Sequence, residues 1–229
     1  MNAIIHIDTE QINQFILGQI MYKVIFIDWN KTLSFSLFWD HLKDLEESNP
    51  MHLNNIQNSL FGKLDHLVKP WMRGEYTTEY IVQKLAEETG LDYEHLLKEF
   101  ILSCQTMKID PEVLSVIQQL RKKGIKVVIA TDNMDALDRW TRSSLKLNEN
   151  FDDILNSYSI KALKGDITED GESAFFMNYL KEHKLKKNET VLLDDSQIKD
   201  EIAKKHGIDF IHITTENTLL KVLNTLLDK

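Results

Sequence analysis

From Asp110 to the C-terminus, the sequence alternates between helical patterns and short apolar runs that are rich in β-branched residues. Strands are predicted at 125–130, 153–157, 190–194 and 208–213, and helices at 111–123, 133–146, 172–184, 197–206 and 216–227. This alternation is typical of a parallel sheet with helices on both faces. The sequence therefore predicts a doubly wound α/β fold.

One more apolar run, Val24–Ile27, lies near the N-terminus and is followed at once by Asp28. Four apolar residues of this kind predict a buried strand. The stretch between this run and the strand at 125–130 has helical patterns, and helices are predicted at 36–47, 77–88 and 92–103. We therefore expect a helical insertion in the loop after the first strand.

Composition excludes several classes of protein. The formal net charge is −9, which argues against nucleic acid as a main partner because there is no basic excess to neutralise phosphates. Cys104 is the only cysteine, so an intrachain disulfide and a cysteine metal cluster are excluded. No apolar run approaches the roughly 18 residues of a membrane span. The N-terminus has no pattern of a secretion signal, so we expect a cytoplasmic protein without a membrane partner.

Four candidate site residues lie at or near strand ends, where α/β sheets place their ligands. Asp28 follows the first strand, Thr131 ends the strand at 125–130, Lys164 comes after the third strand, and Asp195 ends the fourth. In this order and placement they resemble the motifs of the haloacid dehalogenase (HAD) superfamily. The resemblance covers about 21–213. It implies a HAD-like Rossmannoid core over 21–33 and 109–229, a helical cap of the first type over 34–108, and a leader over 1–20.

The resemblance also implies roles for these residues. Asp28 would be the nucleophile, and Thr131 and Lys164 would hold the phosphoryl group. Mg²⁺ would be bound by Asp28, by Asp195 and by the main-chain carbonyl of Asn30, and carboxylates are ligands that suit this ion.

Some assignments stay open at this stage. Asp194 competes with Asp195 as the metal ligand, although the spacing of Asp195 and Asp200 is similar to that of the family. Lys161 lies one helical turn from Lys164, and Thr131 could serve only to cap a helix. Arg73 could place a cation near the cleft or lie on an exposed loop.

Asn30 stands where the family motif has a second aspartate. An amide can form hydrogen bonds but cannot cycle a proton. General acid–base assistance contributes about 10²–10⁴-fold. The sequence therefore predicts a Mg²⁺-dependent phosphohydrolase of reduced activity, which acts on a small phosphorylated metabolite through an aspartyl-phosphate intermediate. One alternative is a catalytically weak phosphate-binding or regulatory protein, and the other is a metal-independent dehalogenase-like hydrolase. The sequence does not identify the substrate or the oligomeric state.

Overall fold

The computed structural model describes residues 22–39 and 51–228. Its strands are β1 (Val24–Ile27), β2 (Lys126–Thr131), β3 (Asp153–Asn156), β4 (Thr190–Asp194) and β5 (Asp209–His212). They form one parallel sheet in the spatial order β3-β2-β1-β4-β5. The predicted α/β fold is confirmed, and β1 lies at the centre of the sheet.

Helices connect the strands and fill the long segment between β1 and β2. They are α1 (Met51–Asn58), α2 (Asp65–Met72), α3 (Thr78–Thr89), α4 (Tyr93–Gln105), α5 (Pro111–Lys122), α6 (Arg142–Ser144), α7 (Leu147–Asn150), α8 (Ser157–Ile160), α9 (Met177–Glu182), α10 (Ile198–His206) and α11 (Leu219–Leu227). Two short π-helical segments, Ser59–Lys63 and Leu137–Thr141, and one 3₁₀ turn, Lys187–Glu189, complete the set.

Both faces of the sheet are buried. Ile25 and Ile27 of β1 belong to the apolar cluster that includes α5 and α11. Val24 and Phe26 point to the other face, which is covered by side chains of α9 and α10 and of the segment before α9. A strand that is buried on both faces needs a continuous apolar run, and this explains the composition of β1.

The four helices α1 to α4, which we call the insert (residues 51–105), have an apolar cluster of their own. Met134 and Ala136, which follow β2, join that cluster, as does Trp39. The insert therefore packs directly on the segment that leaves the end of β2.

Several predicted helix ends are confirmed by their capping contacts. The side chain of Thr77 accepts a hydrogen bond from the N–H of Tyr80 at the start of α3, and Gly90 ends that helix with φ of 72°. Asp110 caps α5, with Pro111 in its first turn. These are the residue types expected at helix starts and ends.

Two predicted helices are shorter than their patterns indicate. In the segment 133–146, the side chain of Asn133 accepts a hydrogen bond from the N–H of Met134, and regular π-helical structure begins only at Leu137. In the segment 172–184, Ser173 accepts a hydrogen bond from the N–H of Phe176 and forms a turn before α9. Short polar side chains compete in this way with helical backbone bonds.

The leader and most of the predicted helix at 36–47 lie outside the described residues. Among the described helices, none is long and apolar enough to cross a membrane.

Candidate active site

A lysine and two aspartates form a buried cluster at the carboxyl end of the sheet. Asp28 follows β1 and Asp194 ends β4, and the two strands are in register, with Ile27 opposite Leu193. The Nζ atom of Lys164 lies 2.6 Å from Oδ1 of Asp28 and 2.5 Å from Oδ2 of Asp194. Lys164 is only 1% exposed, so its charge is neutralised by these two carboxylates rather than by water.

A third carboxylate completes the cluster. Asp28, Asp194 and Asp195 each offer an oxygen atom, and these atoms all lie within 4.8 Å of one another. Asp194 also accepts a hydrogen bond from the N–H of Ser196, whereas Asp195 is half-buried beside it. Three carboxylates around one ammonium group leave an excess of negative charge at this edge of the sheet.

Burial and charge shift the pKa values of these groups. Burial raises the pKa of Asp28 to about 6, an effect that the charge of Asp194 reinforces and that of Lys164 opposes. Burial and the neighbouring charge of Asp194 raise the pKa of Asp195 above its usual value. Burial alone would lower the pKa of Lys164, but the attraction of Asp28 and Asp194 outweighs it and raises that pKa, so the amine stays protonated.

Two buried hydroxyl groups near these strand ends lack partners. Thr131 ends β2 and is fully buried, and Thr32 lies in the turn after Asp28. No residue of 22–39 or 51–228 forms a hydrogen bond with Oγ1 of either threonine. Because a buried hydroxyl without a partner is costly, these atoms suit a ligand that accepts hydrogen bonds.

Asn30 lies in a tight turn directly after Asp28. The carbonyl oxygen of Trp29 accepts hydrogen bonds from the N–H groups of Leu33 and Ser34, and the N–H of Lys31 bonds to the carbonyl of Ser34. Lys31 takes a left-handed conformation with φ of 56°. The turn therefore holds the half-buried Asn30 two residues from Asp28.

Two ion pairs surround the loop that carries Lys164, and sequence reasoning did not assign them. Asp132 accepts a hydrogen bond from the N–H of Lys164 at 2.7 Å and pairs with Lys199 at 2.5 Å. Asp166 accepts one from the N–H of Leu163 at 2.8 Å and pairs with Arg73 of the insert. The only sequence signal was the position of Asp132 next to Thr131, and Arg73 had no signal beyond its charge.

Lys161, the alternative to Lys164, and Asp200 lie outside the cluster, whereas Asp194, the alternative to Asp195, lies within it. The Nζ atom of Lys161 lies over the ring of Tyr158 and donates a hydrogen bond to the carbonyl of Gly74. Asp200 pairs with Lys204 one helical turn away in α10. The structure thus brings together Asp28, Lys164, Asp194 and Asp195, and leaves Lys161 and Asp200 outside this cluster.

The buried carboxylate of Asp135 also attaches the insert to the core. Asp135 accepts hydrogen bonds from the indole N–H of Trp71 at 2.9 Å, and from the hydroxyl and backbone N–H of Thr78 at 2.6 and 3.2 Å. Arg139 also donates to Asp135, and it pairs with Glu79 of α3. Asp135 therefore holds both the end of α2 and the start of α3.

A known protein family matches a large part of the chain. The profile of the family described as "Haloacid dehalogenase-like hydrolase" matches residues 68–213, which is more than half of the chain. A comparison with curated proteins found no significant match.

Solved structures share the fold at low sequence identity. A predicted HAD-like family hydrolase from Porphyromonas gingivalis is 17% identical, with 91% of this chain and 99% of that chain covered and a TM-score of 0.63. A HAD family enzyme from Bacteroides thetaiotaomicron, in complex with magnesium and inorganic phosphate, is 18% identical, with 84% and 94% covered and a TM-score of 0.59. L-2-haloacid dehalogenase from Xanthobacter autotrophicus is 14% identical, with 90% and 88% covered and a TM-score of 0.61. At these identities the likeness concerns the fold alone.

Proposed function

Because this chain belongs to the family of haloacid dehalogenase-like hydrolases, we propose that it is a Mg²⁺-dependent phosphohydrolase that acts on a small phosphorylated metabolite. The observation that carries the proposal is the cluster of Asp28, Lys164, Asp194 and Asp195 at the carboxyl end of the sheet, where α/β folds bind ligands. Fold alone does not imply a reaction, so the proposal depends on this chemistry.

The donor set suits Mg²⁺. This ion is bound through one or two carboxylates together with water and substrate phosphate, and three carboxylate oxygens lie within 4.8 Å of one another here. We propose that Asp28 and Asp195 hold the ion, with the main-chain carbonyl of Asn30 as the third ligand from the protein. Bound Mg²⁺ would neutralise the excess negative charge and polarise the phosphoryl oxygens.

One oxygen of Asp28 supports a role for this residue as the nucleophile. Its Oδ1 accepts the hydrogen bond from Lys164, whereas no donor in the described part of the chain reaches its Oδ2. We propose that Oδ2 attacks phosphorus and that the bond to the ester oxygen breaks, which forms an aspartyl phosphate. Water then attacks the same phosphorus and releases its proton to solvent, the bond to Asp28 breaks, and inorganic phosphate leaves.

Two side chains would hold the phosphoryl group during these steps. The ammonium group of Lys164 offers positive charge within a buried site, where electrostatic stabilisation is strong. The hydroxyl of Thr131, buried and without a partner among the described residues, can donate to a phosphoryl oxygen. Both groups are fixed before substrate arrives, so little reorganisation is needed.

Asn30 limits the reaction. The leaving oxygen must take its proton from solvent, since an amide cannot supply one. We therefore propose reduced activity, with activated esters as the best substrates. The same residue favours a second candidate function, a phosphate-binding protein without useful turnover. A metal-independent dehalogenase is less favoured, because such a reaction would not need Asp195 as a metal ligand. A solved dehalogenase nevertheless shares the fold.

We propose that residues 34–108 form a cap over the site, that 21–33 and 109–229 form the core, and that the cap selects the substrate. The leader over 1–20 would lie outside the catalytic machinery. The cytoplasmic location inferred from sequence stays a prediction.

A phosphatase assay over a panel of phosphorylated metabolites, with and without Mg²⁺, tests the proposal. We expect turnover that requires Mg²⁺ and that is abolished in Asp28→Asn. Asp170→Asn, which changes an exposed carboxylate outside the cluster, serves as the matched control. If Asp28→Asn hydrolyses substrate at the wild-type rate, the mechanism is wrong. If the wild-type protein binds phosphate but shows no turnover, the second candidate function, a phosphate-binding protein, is supported instead.

A further inference from the structure

We propose that Arg73 of the insert is a positioning residue for Lys164, and that it acts through Asp166. The proposal rests on the role given above to Lys164. It assigns to the insert a part in catalysis that does not require any contact with substrate.

Two carboxylates hold consecutive N–H groups of the Lys164 loop. Asp166 accepts the hydrogen bond of Leu163 at 2.8 Å, and Asp132 accepts that of Lys164 at 2.7 Å. The N–H of Asp166 closes the loop on the carbonyl of Leu163 at 2.9 Å. The backbone from which the Lys164 side chain extends is therefore fixed at two successive amides.

Each of these carboxylates is held in turn by a cation. Lys199 of α10 binds Asp132, so this pair lies within the core. Arg73 binds Asp166 with two parallel contacts, from Nε at 2.7 Å and from Nη2 at 2.6 Å. A two-contact pair of this kind fixes direction as well as distance, which a lysine cannot do.

The backbone of Arg73 is anchored on both sides. The hydroxyl of Ser157 donates to the carbonyl of Met72 at 2.8 Å, and Lys161 donates to the carbonyl of Gly74 at 3.1 Å. A Cβ atom at Gly74 would lie 2.7 Å from the carbonyl oxygen of Tyr158, so only glycine allows this approach. The guanidinium is thus delivered to Asp166 from a fixed point on the insert.

Two of the three N–H donors of the Lys164 ammonium are used within the protein and one is left for the phosphoryl group, so its action depends on the position of the loop. Its Nζ contacts Asp28 and Asp194 at 2.6 and 2.5 Å, and a small shift of its backbone breaks both contacts. A misplacement of about 1 Å can cost on the order of 10²-fold in rate. The position of the insert is therefore transmitted to the catalytic lysine through Arg73 and Asp166.

The test compares Arg73→Gln with Glu79→Gln. Both variants remove an ion pair between the insert and the core, but the pair of Glu79 with Arg139 does not touch the Lys164 loop. Hydrogen exchange of the peptide that contains residues 163–166 reports loop order directly. Steady-state kinetics separate kcat from KM, and inorganic phosphate serves as the binding probe.

We expect faster exchange of 163–166 in Arg73→Gln and unchanged exchange in Glu79→Gln. The kcat of Arg73→Gln should fall about tenfold with little change in KM, as expected when a catalytic group is misplaced. Arg73→Lys should recover part of the loss, since it keeps the charge but not the paired contacts.

Unchanged exchange in Arg73→Gln, or equal effects of the two variants, would overturn the proposal. If the wild-type protein hydrolyses no phosphate ester, the proposed function fails. Exchange and the affinity for inorganic phosphate would still decide whether Arg73 orders the loop, so the two failures are distinguishable.

Discussion

The ammonium group of Lys164 lies 2.6 Å from the carboxylate of Asp28, although 136 residues separate them in the chain. Both side chains are buried, so each needs the other to compensate its lost hydration. The pair leaves one oxygen of Asp28 available for chemistry. The pair links the fold to the proposed reaction, because β1 positions Asp28 and the loop held by Asp132 and Asp166 positions Lys164.

Asn30 gives the sharpest prediction. Asn30→Asp restores an acid at nearly constant size, so the rate on alkyl phosphates should rise by about tenfold or more, up to the usual factor for general acid–base catalysis. Acyl and aryl phosphates should gain less, because their leaving groups depart without protonation. Rates measured over a series of leaving groups check this. Hydrolysis of the shared aspartyl phosphate does not depend on the leaving group, so the burst of released leaving group must be measured to isolate the first step. A burst rate that does not depend on the leaving group would show that another residue supplies the proton.

The adjacent aspartates Asp194 and Asp195 should differ in their effects. Asp195→Ala should weaken the binding of Mg²⁺ measured by titration calorimetry. Asp194→Ala removes one of the two partners of buried Lys164, whose charge Asp28 still compensates, and should mainly lower the free energy of unfolding, by about 1–3 kcal/mol. If Asp194→Ala instead abolishes Mg²⁺ binding while Asp195→Ala does not, Asp194 is the metal ligand.

Asp135 should be a main determinant of stability between the insert and the core. Asp135→Ala leaves the indole of Trp71 and the hydroxyl of Thr78 without a buried acceptor, at a cost of about 3–5 kcal/mol. Asp92→Ala, which removes only the cap of α4, should cost about 1 kcal/mol. Urea unfolding of both variants measures the difference. Equal costs would show that Asp135 contributes no more to stability than the helix cap at Asp92 does.

We predict that the protein loses stability in acid because of His206. The ring is buried, and burial, reinforced by Lys187 and Lys205, lowers its pKa below 6.5. As the pH falls below 6.5, the unfolded chain binds a proton that the folded chain does not, so the free energy of unfolding decreases. The decrease ends once the pH is below the folded pKa. His206→Gln should reduce the change in the free energy of unfolding between pH 7.5 and 5.5, as measured by urea unfolding. The same substitution at the exposed His95 should not reduce it.

The sequence was sufficient for the strands and for the positions of Asp28 and Thr131 at their ends, whereas β4 ends at Asp194 and not, as predicted, at Asp195. Val24–Ile27 is apolar because β1 is buried on both faces, and Asp28 and Asp194 meet because their strands pair in parallel register. Such features depend on local patterns and on a general rule of sheet geometry.

The partners of the Lys164 loop could not be predicted in this way. Arg73 and Asp166 are 93 positions apart, and their pairing depends on how the insert packs on the core. A charged residue in a loop has the same local pattern whether it is exposed or paired. The predicted start of the helix at 133–146 was wrong for a related reason, since the N–H of Asn133 bonds to the hydroxyl of the distant Ser157 and helical structure begins only at Asp135.

The central position of β1 also shapes how the chain folds as it is synthesised. β1 is made first, but its neighbours β2 and β4 begin only at Lys126 and Thr190. At the usual rate of about 5–20 residues per second, the ribosome adds β4 on the order of ten seconds after β1. During that interval the apolar segment Val24–Ile27 cannot pair with β4. Completion of the sheet is therefore a late step in folding, because the four-residue strand β1 must pair with strands that lie far from it in the sequence.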